Sequence, residues 1–258
     1  MSSFPLVDLW GKRSLVWHFS LMTAKMRYLG TYMGFLWAIL EPLFAFGILY
    51  LVFTSIRTSP RPDFPIYLLT GVLIFQIFSR GTQNGLTSIR ANAGIVKSIN
   101  IKREFFPVVS TGSTAIVMCF QILVFFILLA FLNYSPDISL ILLPIPFLLL
   151  LTLILGLSYM LSIVYVYIKD IQLAWNIFSY ALFFVTPIFW YLDEVGGLLL
   201  EIQKINPIGQ IMELSHKIIF GEIPSIEEFG IASIYCVGIF FVGYIIFKKY
   251  EEKITEEL

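Results

Sequence analysis

Six stretches of this chain each stay apolar for roughly 20 residues, the length a helix needs to cross the hydrocarbon of a bilayer. They fall at 32–56, 66–87, 106–132, 140–168, 173–192 and 230–247. The composition of the 258 residues agrees: 58% are hydrophobic and 13% charged, against about 25% charged in a soluble domain. No single aqueous core can bury that much apolar surface, so the expectation is an all-α integral membrane protein with six transmembrane helices. The second stretch is the weakest, because the polar run SRGTQNG at 79–85 marks its end. The fourth carries Pro144 and Pro146 near its start and should begin with a kink or a distorted turn.

Lysine and arginine set the orientation. Thirteen of the seventeen, Arg80, Arg90, Lys97 and Lys102 among them, fall on one set of ends. Only Arg57, Arg61, Lys204 and Lys217 fall on the other, which carries acids such as Asp63, Asp193 and Glu213. Both termini are therefore expected in the cytoplasm, with 248–258 as a cytoplasmic tail, and an even number of spans agrees. The zero net charge and the lack of a basic stripe give no footprint for nucleic acid. Cys119 and Cys236 lie in apolar runs and read as buried packing thiols; with only His18 and His216 beside them they make a poor metal set. The N-terminus lacks the short apolar core and small-residue cleavage site of a removable signal peptide.

Two segments fall outside the spans. Residues 1–30 mix Trp10, Lys12, Arg13, Trp17, Lys25 and Arg27 with apolar residues, the pattern of a helix lying in a membrane interface. Leu6, Leu9, Trp10, Trp17, Leu21 and Tyr28 form one stripe, and Leu15, Phe19, Met22 and Met26 form a second opposite it. A helix sandwiched between lipid and protein would show both stripes; periodicity does not separate it from a plain interfacial anchor. Residues 195–220 are apolar but broken at Asn206-Pro207, and each half is too short to span. They read as two re-entrant helices turning at that dipeptide, with an ordinary outer loop carrying one surface helix as the alternative.

No catalytic cluster of paired acids, spaced histidines or nucleophile and base is found in the sequence. Gly11-Lys12-Arg13-Ser14 fails as a phosphate loop, because that pattern needs a glycine at Leu6 and Ser or Thr at Arg13. Glu41 is the only charged residue that reads as lying deep in a span, too little for a proton relay, and the hydropathy shows no internal repeat. The chain is therefore expected to be no enzyme, to hold no cofactor or metal of its own, and to draw any pumping energy from a partner.

Four short motifs then carry a resemblance. RYLGTYMGFLWAILEPL (27–43), VKSINIKREFFPV (96–108), YIKDI (167–171) and TPIFW (186–190) with Asn206-Pro207 stand in the order and spacing of one family. The chain resembles, over nearly its whole length, the membrane subunit of a type-2 ABC exporter of the branch that exports O-antigen, capsule or teichoic acid. Lys169 departs from the usual arginine of the third motif but keeps its charge. The resemblance implies a homodimer in the cytoplasmic (inner) membrane, joined by two copies of a separate ATPase subunit that binds the ATP and magnesium. It also implies outward movement of a lipid-linked polysaccharide.

On that footing, the first span is expected to line the conduit. Trp37 and Glu41 share a helix face and offer a sugar a ring and a hydrogen-bond acceptor, while Pro42 removes the bond to the carbonyl of Ala38. A buried Glu41 bonded to a neighbouring helix is the open alternative. In the aromatic fifth span, Tyr180 and Phe184 are the further lining candidates, although most rings there suit lipid contact or an interfacial belt. The cytoplasmic loop 87–105 is expected to couple to the ATPase through a short helix capped by Thr87 or Ser88, with Asn92, Ala93, Gly94, Ile95, Val96 and Lys97 in contact. Gly30 with Gly34, and Gly81 with Gly85, have the spacing of close helix packing. Three alternatives stay open at this point: a small-molecule or drug exporter of the same superfamily, a lipid-processing membrane enzyme, and a purely structural membrane protein.

Overall fold

A computed structural model describes residues 11, 13–27, 32–56, 61–98, 101–132, 134–251 and 254. Among them the regular structure is helical: α1 (Arg13–Met26), α2 (Trp37–Ile56), α3 (Phe64–Ala91), α4 (Ala93–Ser98), α5 (Phe105–Phe131), α6 (Pro144–Tyr167), α7 (Ile171–Val185), α8 (Leu198–Ile205), α9 (Pro207–Ile219) and α10 (Ile226–Tyr250). Five of these helices, or of these with a 3-10 lead-in, are long and apolar enough to cross a membrane: α2, α3, α5, Ile138–Tyr167 and α10. The expectations at 1–10, 12 and 28–31, including Trp10, Lys12, Tyr28 and Gly30, lie outside the described residues.

The stretch at 173–192 does not form one long helix. α7 ends at Val185 after 15 residues, about 22 Å of rise, short of a 30 Å hydrocarbon slab. Pro187 is the cause: its ring disfavours helical backbone at the residue before it, and Thr186 is extended at φ −84°, ψ 143°. The second stretch departs the other way, since α3 runs 28 residues to Ala91. The polar run at 79–85 is helix interior, with Gly81, Thr82 and Gly85 buried against other helices and Ser79, Arg80 and Gln83 bordering a space between them. Gly81 lies against Ile154 and Thr114, and Gly85 against Ser158 so closely that a Cβ would strike it. Gly34, by contrast, has open space around it and a φ of +49°, so it serves a turn before α2 rather than helix packing.

The core is built on α3. Phe64, Leu68, Ile74, Phe78 and Leu86 are fully buried and meet Leu150, Leu153 and Ile154 of α6 and Phe125 and Leu129 of α5. α6 in turn packs along α10, where Gly156 admits the backbone of Phe240. The proline-rich start of α6 is resolved by a 3-10 turn, Ile138–Leu142, before Pro144 takes the first helical turn, where its missing N–H costs nothing.

α1 lies along α5. Its contact face is made mainly by small residues, with Ser20 and Ala24 buried and the Ser20 hydroxyl donating to the Val109 carbonyl at 3.3 Å. Phe19 adds an edge contact with Phe105, while Trp17, Met22 and Met26 are exposed. Cys236 is buried, but Cys119 is exposed on α5; both thiols are free.

The two ends of the bundle differ. One carries Arg90, Lys97, Lys102, Arg103, Lys169 and Lys248 and is the basic end. There Glu104, fully buried at the start of α5, pairs with Lys248 of α10 at 3.0 Å, and Lys248 also reaches Glu251 at 2.8 Å. The opposite end carries Asp63, Asp137, Asp193, Glu213 and Glu222 and is the acidic end.

Candidate functional site

Pro42 sits inside α2 without ending it. A proline leaves the carbonyl four residues back without its helical donor, and in a membrane such a group must find another partner. The side chain of Gln121 on α5 supplies it, donating through Nε2 to the Ala38 carbonyl at 3.0 Å. Ala38 and Pro42 are both buried at this contact. The breaker in α2 and the amide in α5 are therefore one device that pins the two helices together.

One turn along, the Glu41 carboxylate forms an ion pair with the guanidinium of Arg80 on α3. Glu41 is thus not alone: Arg80 stands 11 residues before the end of α3, about 16 Å of helix rise from the basic end. In the sequence it reads as one of the cations outside the membrane, because the polar residues around it look like the close of a span. Both side chains remain about two-fifths exposed, so the pair borders open space and is not a sealed core bridge.

That space is a cleft of about 530 Å³ between α2, α3 and α7. Glu41, Gln76, Ser79, Arg80, Gln83, Asn176, Ser179 and Tyr180 give it a polar lining, with Phe75 and Phe183 beside them. Gln76 Oε1, Gln83 Oε1 and Ser179 Oγ are buried and have no hydrogen-bond partner among the described residues. Two acceptors and a hydroxyl left open inside a membrane helix cluster suit water or the hydroxyl groups of a ligand. Of the lining candidates named from sequence, Glu41 and Tyr180 come to this cleft. Trp37 and Phe184 do not line it: Trp37 is exposed at the start of α2, and Phe184 packs edge-on against Tyr180 and Phe183.

At the basic end, Asn92 makes the turn between α3 and α4 and donates through Nδ2 to the Ser88 carbonyl at 2.8 Å. Thr87 and Ser88 lie within α3, their hydroxyls on carbonyls of the preceding turn, so they cap nothing. Gly94 and Lys97 are exposed, and Asn92, Ala93 and Ile95 are half-buried. Val96 is buried against Phe105, Phe106 and Ile163, which anchors α4 in the core.

At the acidic end, Asn206 links α8 to α9. Its Oδ1 accepts from the Ile208 amide at 3.1 Å, capping α9, with Pro207 in the first turn. Its Nδ2 donates to Thr186 Oγ1 at 3.1 Å, so the Thr-Pro and Asn-Pro motifs, 20 residues apart, meet through one bond. Nearby, a second polar pocket of about 450 Å³ holds Arg61, Asp63, Asp193, Glu213, His216 and Glu222. His216 stacks on Tyr67 at 3.7 Å with Nε2 on the Tyr67 carbonyl at 3.0 Å, and burial pulls its pKa down to about 3, leaving it neutral. The guanidinium of Arg61 at 2.5 Å from Asp193 holds that carboxyl below its ordinary range.

Comparisons with known proteins give three results. A family model for the ABC-2 type transporter matches residues 17–220. The chain is similar to the O-antigen export system permease protein RfbA of Myxococcus xanthus, 26% identical with 91% of each chain covered, and to its Klebsiella pneumoniae counterpart, also 26% identical with the same coverage. It is similar as well to the polysialic acid transport protein KpsM of Escherichia coli, 25% identical over 85% of this chain and 87% of that one.

Proposed function

Since the chain belongs to the ABC-2 type transporter family and is a permease subunit of an ABC-2 exporter, we propose that it moves a lipid-linked polysaccharide outward, driven by a separate ATPase subunit. Its basic end then lies in the cytoplasm, following the lysine and arginine bias. The working unit is a homodimer in the inner membrane with two ATPase copies docked at α4. Six crossings result if α7, extended by Thr186–Tyr191, makes the fifth passage, and α8 and α9 dip in from the outer face as a re-entrant pair.

The observation that carries this reading is the polar cleft at Glu41 and Arg80. A hydrophilic polymer crossing a membrane needs hydrogen-bonding groups that do not hold it tightly. The cleft offers amides, hydroxyls and the Tyr180 ring along α3 and α7. α2 and α7 also expose apolar rows, Phe44, Ile48 and Leu51 on one and Leu173, Ile177 and Phe184 on the other. A second copy of the chain seated there would close the cleft into a conduit. Coupling fits the basic end: α4 is anchored in the core by Val96, so a push on Gly94 and Lys97 passes into α3.

The test is surface display of the glycan in cells lacking this chain. Loss of surface glycan with lipid-linked material retained inside, restored by the wild-type gene, is expected. Normal surface glycan in those cells overturns the reading, and loss of a small molecule's efflux instead identifies the drug-exporter alternative.

A further inference from the structure

The cleft between α2, α3 and α7 is polar, but its charge sums to zero. Among the described residues that line it, Glu41 and Arg80 are the charged ones, and they are paired with each other. Every other polar group there is an amide or a hydroxyl. The buried positions left open, Gln76 Oε1, Gln83 Oε1 and Ser179 Oγ, are two acceptors and a hydroxyl. A sugar hydroxyl can donate to all three. A carboxylate only accepts, so it meets acceptor with acceptor at the amide oxygens. To reach Arg80 it must displace Glu41 and leave that acid without its cation, in a site only about two-fifths exposed.

Paths that pass anions are lined by an excess of lysine or arginine. The cleft has no such excess, and a second copy of the chain doubles both charges without changing the sum. Arg27 lies in the adjoining pocket, which shares Arg80 and Gln83; it donates to Ser113 Oγ at 2.6 Å and does not line the cleft. The acidic end, where the polymer leaves under the export reading, adds no excess either. Its pocket sets Arg61 and Lys217 against Asp63, Asp193, Glu213 and Glu222, two cations to four acids, with His216 neutral. Burial raises the Glu213 pKa, and with that acid uncharged the acids still outnumber the cations. We infer that the exported glycan is built of uncharged sugars, and that the Glu41–Arg80 pair is what excludes acidic ones. This inference rests on the export reading above and narrows its substrate to one class of polymer.

The full chain with its ATPase, held in phosphatidylcholine nanodiscs, is titrated with two fluorescent probes on the same dioleoyl phosphatidylethanolamine anchor. One carries maltoheptaose, the other an oligogalacturonate of equal length. The wild type should bind the neutral probe at least about tenfold tighter. Asn176→Lys adds a cation at an exposed position in the cleft and keeps the pair. It should tighten the acidic probe about tenfold, the worth of one charge-assisted partner. Glu41→Gln frees Arg80 and should move the preference the same way, while Glu41→Gln with Arg80→Gln rebalances the cleft and should return it. Equal affinity for the two probes in the wild type, tighter binding of the acidic one, or binding of neither overturns the inference. So does a preference that neither Asn176→Lys nor Glu41→Gln moves, or a double variant shifted as far as Glu41→Gln alone. Surface glycan in cells lacking the chain keeps the two proposals apart. Normal display with the neutral preference intact sinks the export reading alone; lost display with an acidic preference sinks this inference alone.

Discussion

α2 and α3 lie side by side and invert the pattern of a soluble core. α2 is the more apolar, yet only 6% of its membrane window is buried in the protein; α3 is the least apolar of the five long spans, and 72% of its window is buried. In water the greasy helix goes inside. In lipid the greasy helix can stay outside at no cost, and the one with Thr82, Gln83, Asn84 and Ser88 must be covered by protein. The single charged pair joins the two where they meet.

The largest effect expected from this contrast is at Gly85. Gly85→Val drives a branched side chain into Ser158 of α6, a collision with backbone close behind the hydroxyl. Overpacking of about 1–3 kcal/mol or more should abolish detergent-stable protein, read by size-exclusion profile. Arg80→Gln comes next, leaving Glu41 without its cation in a partly exposed site. About 1–2 kcal/mol of destabilisation is expected, discounted from the cost in a sealed site for the pair's exposure. It should show as a lower thermal unfolding temperature that Glu41→Gln in the same chain largely restores. If the double variant is no better than the single, the pair is not what joins the helices. Gln121→Leu strands the Ala38 carbonyl that Pro42 leaves open. A loss of about 1 kcal/mol should vanish in a Pro42→Ala background, where the helix closes its own bond. The smallest effect is at Gly47 in α2, which has open space around it. Gly47→Val should shift stability by no more than about 0.5 kcal/mol, and a loss as large as at Gly85 would erase the distinction between the two helices.

Much of the framework was legible in the sequence, for reasons that particular residues make clear. Apolar length alone marks the long helices, because crossing a bilayer is a length requirement. Pro42 announces an unfilled carbonyl, and Asn206-Pro207 announces a cap and a break, because both act within a few residues. The partners that complete these features were not legible. Gln121 reaches Ala38 and Asn206 reaches Thr186 only through the register of helices far apart in sequence. Arg80 reads in the sequence as lying past a span, because a polar run inside a helix and one past its end look the same until it is known what covers them. Val96 shows the same limit, since an apolar residue in a basic loop fits a docking site and an anchor equally well. The overrun from Val185 to Leu192 had a signal: Pro187 disfavours helix at Thr186, but the apolar PIFWYL after it reads as more of the span.

The account stands on this chain being a permease that works only when a separate ATPase acts on its basic end. Reconstitution tests that directly: proteoliposomes carrying this chain are loaded with lipid-linked glycan, and outward transfer is measured with and without the ATPase subunit and ATP. Transfer is expected only when the chain, the ATPase and ATP are all present, with no nucleotide turnover by the chain alone. Transfer at the full rate without the ATPase, or ATP hydrolysis by the purified chain, would contradict it.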